Sequence, residues 1–252
     1  MGDEPEHRTL MQSPLYVSLS SQLALQQRLD TISANIANAS TAGYRADNVN
    51  FASLVTSPRA GSVAFVGQGQ QVVDRRMGPL QPTGNSLDVA IEGDGWLALQ
   101  TPAGVAYSRD GRLKLSNSGQ LVSTTGYPVL DAGRAPISTD PNGGPLTIAR
   151  DGMVSQAGKK LGAIGLFNVS PGQDLVRYGD SAFLTHADPA PVLDFSRVSI
   201  AQGFVEQSNV NISTEMMNLI TVSRAFQGAT SVIDETQRKL DDAIHVLGAT
   251  GH

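Results

Sequence analysis

Cysteine is absent from all 252 residues, which excludes disulfides and thiolate metal sites but does not by itself reveal a compartment. Aromatic residues are scarce at 5%, with Trp96 the single tryptophan. The four histidines, His7, His186, His245 and His252, are scattered, and none stands at metal-ligand spacing from another. No apolar run approaches the roughly 18 residues of a membrane span, so no direct membrane insertion is expected. Charged residues make up 16% with a net −5 and no basic run, which argues against nucleic acid as a partner. Nucleophile elbow, P-loop and EF-hand patterns are missing as well. The first ten residues carry acids and no apolar h-region, so a Sec-type signal peptide is not expected. No catalytic residue, no cofactor site and no metal site is read from the chain.

What is present is 40% hydrophobic content, enough for one large folded domain or two smaller ones. The most organised stretch is Ser213 to Leu247. Every seventh residue is apolar there, Leu219, Phe226, Ile233, Leu240 and Leu247, a period that puts one stripe on one side of a helix and favours supercoiling against a partner. The companion seam reads Met216, Ser223, Thr230, Gln237 and Ile244, apolar at its ends and polar between. Ser213 suits the N-cap, Glu215 the first turn and Gly248 the stop. About 35 residues at ~1.5 Å each give a rod of roughly 50 Å. A stripe so narrow needs another helix to cover it.

A second amphipathic helix is expected from Pro14, behind the cap residue Ser13, to about Asn38. Leu15, Leu19, Leu25, Leu29, Ile32 and Ile36 recur along it at helical spacing. Its polar face is mostly Gln, Ser and Asn, which favours packing on further protein over open water. Asn35 and Asn38 share one face; their amides serve either local capping or contacts to another helix or chain. Gly43 suits a left-handed turn after the helix.

Between the helices, glycine dominates: all but Gly2, Gly228, Gly248 and Gly251 of the 26 lie from Gly43 to Gly203. Residues 61–73 read as an extended strand or arm. Gly67-Gln68-Gly69 is rejected as a dinucleotide loop, because Val72 stands where the third glycine belongs. From Asn85 to Phe204 short β-type runs alternate with Gly-Asp-Gly, Asp-Gly and Ser-Gly turns, the strongest short-range signal for hairpins. Asp88, Glu92 and Asp94 form the densest carboxylate group and read as turn and surface residues rather than an acid/base pair. Trp96 reads as a core anchor.

The fold class is therefore α+β. It comprises a discontinuous coiled-coil domain of terminal helices, residues 14–44 and 208–252, plus a central antiparallel β-domain, 85–207, on an extended arm, 45–84. Residues 1–13 form a flexible tail.

Three stretches carry a family resemblance. Asn35-Ile36-Ala37-Asn38, Thr41, Gly43, Tyr44 and Arg45 resemble the N-terminal signature of flagellar rod and hook proteins; Ala34 departs where the family usually has asparagine. Ser208-Asn209-Val210-Asn211, followed by Glu215-Met216, Leu219-Ile220 and Arg224-Ala225-Phe226, resembles the C-terminal box and helix. Leu87 to Trp96, with Tyr107-Ser108-Arg109-Asp110-Gly111 and Gly119 to Val122, resembles the β-domain, where phenylalanine is commoner than Trp96. Length and the Tyr16 to Leu19 opening are most similar to the proximal rod group, with the distal rod group next and hook proteins lower.

The resemblance implies a structural, non-enzymatic subunit of the basal-body rod, the driveshaft crossing the periplasm. Its implied partners are copies of itself, other proximal and distal rod subunits, and the type III export apparatus that would replace a signal peptide. The implied assembly interface is Leu25, Leu29, Ile32, Asn35, Ile36, Asn38, Gly43, Tyr44, Asn209, Met216, Leu219, Phe226, Ile233 and Leu240. The competing readings are a β-domain scaffold or adhesin with a helical oligomerisation handle, and a glycan hydrolase, which would need a carboxylate pair in a cleft.

Overall fold

A computed structural model describes residues 6–50, 53–55, 64–66, 69–170 and 175–249. Helices α1 (Glu6–Ala37) and α2 (Ile212–Ala249) bracket a series of short strands. Every strand pair of described register is antiparallel, so the chain is α+β. It divides into two compact units: residues 1–37, 47–72 and 211–252, and residues 38–46 and 73–210.

In the first unit α1 and α2 pack on one another, and Gln22 Nε2 donates to Thr230 Oγ1 at 3.3 Å. Leu219, Phe226 and Ile233 are half-buried on α2, and beside them run Val222, Ala229 and Thr236. Of the expected companion seam, Ser223 and Thr230 are half-buried and Thr230 takes the bond from α1, while Met216 and Gln237 are exposed. The fully buried residue, Val222, stands one position before Ser223. Val222 is 4% exposed while Met216 is 52% exposed. Three residues on from Leu219 stands a valine, four on a serine, and the helix turns to bury the valine.

Asn211 caps α2: its Oδ1 accepts from Thr214 N at 3.1 Å and its carbonyl from Glu215 N at 2.9 Å. The serine expected to cap, Ser213, lies inside the helix, because an asparagine two residues earlier does the same work at least as well. Helix α1 starts at Glu6 rather than Pro14, so 6–13 of the expected tail are helical and 1–5 lie outside the described residues. Good helix formers at Glu6, Arg8, Leu10, Met11 and Gln12 carry it through Pro14, at the cost of the bond Pro14 cannot donate to Leu10. Of the segment 45–84, residues 51–52, 56–63 and 67–68 lie outside the described set. Strands Asp47–Asn50 and Gln70–Val73 pair, as do Ser53–Val55 and Ala64–Val66.

The second unit is built on a six-stranded sheet. Its order is Leu175–Tyr178, Ala182–Thr185, Gly104–Ser108, Trp96–Thr101, Leu166–Asn168 and Ala190–Pro191. Side chains alternate along a strand, and Trp96–Thr101 fills a separate core on each face. Leu97 and Leu99 join Val89, Ile91, Leu121 and Ile164. Trp96 and Ala98 join Tyr107, Phe167 and Phe183. Burial on both faces explains an unbroken apolar run where one solvated face would demand alternation. Trp96 is a core anchor, 4% exposed and edge-on to Phe183 at 5.7 Å.

Gly111 does not form the left-handed hairpin turn expected of Asp110-Gly111, since its φ is not positive. Glycine is required for another reason: a Cβ there would stand 1.7 Å from the Val89 carbonyl oxygen.

Candidate assembly interface

Asn38 to Ala46 leads from the end of α1 into the second unit, and its residues from Ala42 to Ala46 are buried. Thr41 N bonds back to Asn38 O at 3.1 Å and Tyr44 N to Thr41 O at 3.3 Å, closing two tight turns. Gly43 follows at φ +68° with its N–H on Glu206 O at 2.8 Å. The Tyr44 ring is 1% exposed and lies under the Arg177 guanidinium at 4.4 Å.

Arg45, the next residue, meets a buried cluster of charge. Its Nη1 lies 2.5 Å from Glu206 Oε1 and donates to Arg76 O at 2.6 Å. From the other side Arg109 Nε donates to Glu206 Oε2 at 2.7 Å, and its remaining nitrogens reach the carbonyls of Ile91, Gly93 and Gly95. Gly78 N donates to Glu206 Oε1 at 2.9 Å. The Glu206 side chain is 0% exposed and both arginine side chains are 2% exposed. Burial pulls both guanidinium groups below their ordinary value, with the Glu206 charge offsetting part of it; a guanidinium is not deprotonated in proteins. Desolvating three charges is expensive, and charge-assisted bonds with fixed geometry offset that cost.

Asn209 completes the arrangement. Its Oδ1 accepts from Ala46 N at 2.8 Å and its Nδ2 donates to Asp74 O and Arg76 O at 3.0 and 2.9 Å. In the first unit Asn35 does similar work. Its Nδ2 donates to Asp47 O and its Oδ1 accepts from Asp47 N, both at 2.9 Å, so the amide acts as one rung of backbone.

The fourteen residues expected at an interface therefore fall into separate groups. Asn35, Gly43, Tyr44 and Asn209 make contacts within the chain, and Asn38 bonds Thr41 in the turn. Ile32 is buried, and Leu25, Leu29, Ile36, Leu219, Phe226 and Ile233 are half-buried on the helices. Leu240 lies outside the residues whose side chains are described. Met216 faces outward, and so do residues the sequence had not singled out as interface: Leu19 and Leu23 on α1, and Ile212, Met217 and Ile220 on α2, 47–64% exposed. Glu206 and Arg109 were likewise not picked out. The carboxylates Asp88 and Glu92 take separate partners, Asn85 Nδ2 at 3.1 Å and Ser199 Oγ at 2.6 Å, and Asp94 is exposed.

Three family models match in chain order. Residues 15–45 match "Flagella basal body rod protein", residues 90–156 "Flagellar hook protein FlgE/F/G D1 domain", and residues 201–245 "Flagellar basal body rod FlgEFG protein C-terminal". The chain is 47% identical over 239 residues to the flagellar basal-body rod protein FlgF of Mesorhizobium japonicum, covering 95% of this chain and 99% of that one. It belongs to the flagellar basal-body rod protein family. The FlgF of Rhizobium meliloti is 41% identical, covering 95% of this chain and all of that one. The rod protein FlgG of Bacillus subtilis is more distant, 29% identical over 92% of this chain and 98% of that one. The buried Gly43-Tyr44-Arg45 and the Ser208-Asn209 pair lie within the matched N- and C-terminal rod segments.

Proposed function

We propose that the chain is a structural subunit of the proximal flagellar rod, assembling helically with copies of itself and other rod subunits to transmit torque. The supporting observation is the family match in all three segments together with 47% identity to a FlgF protein. The lower identity to FlgG ranks the distal rod second. In this reading α1 and α2 form a coiled coil, Leu219, Phe226, Ile233 and Leu240 against Leu25, Leu29, Ile32 and Ile36. The exposed Leu19, Leu23, Ile212, Met216, Met217 and Ile220 then meet neighbouring subunits. Such a contact joins unlike surfaces and propagates openly instead of closing a ring. The segment 45–84 acts as the arm, and the type III export apparatus is the partner met on the way out of the cell.

Deleting the chain from its bacterium is expected to stop basal-body construction before the hook, with motility restored by the intact chain. Basal bodies purified from the restored strain are expected to contain it. A strain that builds hooks and swims without the chain contradicts the reading.

A further inference from the structure

We propose that Glu206 is a positioning residue for assembly, holding in one register residues 43–46, where the chain first passes into its β-rich unit, and residues 206–209, where it last leaves it. The assembly part rests on the rod-subunit reading; the positioning part does not. Glu206 ends the strand Phe204–Glu206. Its two carboxylate oxygens take donors from three distant stretches: Arg45 of the entering segment, Gly78, and Arg109 of the turn after strand Gly104–Ser108. Around it run the backbone bonds Gly43 N to Glu206 O and Asn209 N to Tyr44 O, which join the entering and leaving segments, and Gln207 N to Pro79 O, which ties the leaving segment to the stretch beside Gly78.

One carboxylate serves two buried guanidinium groups, so neutralising it leaves both positive charges facing each other out of water, and Arg45 Nε is already without a hydrogen-bond partner. The sheet cores, by contrast, are apolar on both faces, and the arginines meet them at their margin, Arg109 at the Ile91, Gly93 and Gly95 carbonyls and Arg45 at 6.0 Å from the Trp96 ring centre. Loss of the Glu206 charge therefore loosens the two segments and spares the sheet.

The test is hydrogen exchange on the full chain carrying Glu206→Gln, beside basal-body incorporation of the same variant. Exchange at the Gly43, Gln207 and Asn209 amides is expected to quicken at least about tenfold, with strands Trp96–Thr101 and Gly104–Ser108 unchanged and incorporation reduced. A second variant, Arg45→Met with Glu206→Leu and Arg109→Met, removes the buried charges altogether. It is expected to regain melting temperature while the three amides stay fast and incorporation stays low, which separates positioning from stability. Arg150→Gln, which removes an exposed pair, should change neither. Unaltered exchange in Glu206→Gln, loosening spread evenly through the sheet, or normal incorporation despite loosened segments would each overturn the proposal. If even the unaltered chain is missing from basal bodies, the rod reading fails instead and the exchange result stands.

Discussion

Gly43→Ala is expected to lower the stability of the β-rich unit by about 3 kcal/mol, read as a shifted urea midpoint at unchanged slope. Two causes act together. At φ +68° any side chain is strained, which costs roughly 1–2 kcal/mol. A Cβ would also stand 2.2 Å from Asp110 N and 2.4 Å from Arg109 C, and an overpacked core costs about 1–3 kcal/mol. Those neighbours are backbone, so no rotamer change relieves the clash. Gly84→Ala is the matched control: its φ is +73° and nothing lies within 4 Å of the new Cβ. It carries the strain without the clash and should lose only about 1 kcal/mol. Equal losses in the two variants would mean that the approach of Gly43 to the Arg109-Asp110 backbone carries no weight.

Phe226→Asp is expected to abolish incorporation into the rod while leaving the β-rich unit folded. Phe226 is half-buried on α2, one turn before Thr230, whose hydroxyl takes the Gln22 amide from α1. Exchanging the ring for a carboxylate loses about 1.5 kcal/mol of apolar burial and adds about 1–3 kcal/mol for a charge partly withdrawn from water. Together that is of order 100-fold per contact, and a helical assembly repeats the contact at every subunit. The readouts are basal-body incorporation and exchange protection of strands Trp96–Thr101 and Gly104–Ser108. Normal incorporation of the variant would remove the helical seam from the account.

The residues that announced themselves in the sequence were those whose signal is local and periodic. Leu219, Phe226 and Ile233 repeat every seven positions, and the helix they mark is there. The companion seam was not decidable in the same way: positions three and four residues on from Leu219 flank it almost equally, and only the packed helix shows that Val222 goes in. Asp110-Gly111 illustrates another limit, for a glycine required by close approach to Val89 O looks the same as one required by a turn. Glu206 gave no signal at all. Its partners Gly78 and Arg109 stand 128 and 97 residues away in the chain, and a lone glutamate after a valine reads as a solvated side chain. Asn35 had two honest readings from its spacing, and the backbone of Asp47 that takes its amide is brought there by a turn whose path is not written in Asn35 itself.

The central claim, that the outward apolar face of α2 is covered in the assembled rod, is tested by thiol accessibility. The chain has no cysteine, so Met217→Cys, at a position 64% exposed, gives it a single thiol. A maleimide should label it rapidly in the isolated chain and slowly in purified basal bodies that have incorporated the variant. Equal labelling rates in the two would contradict the account.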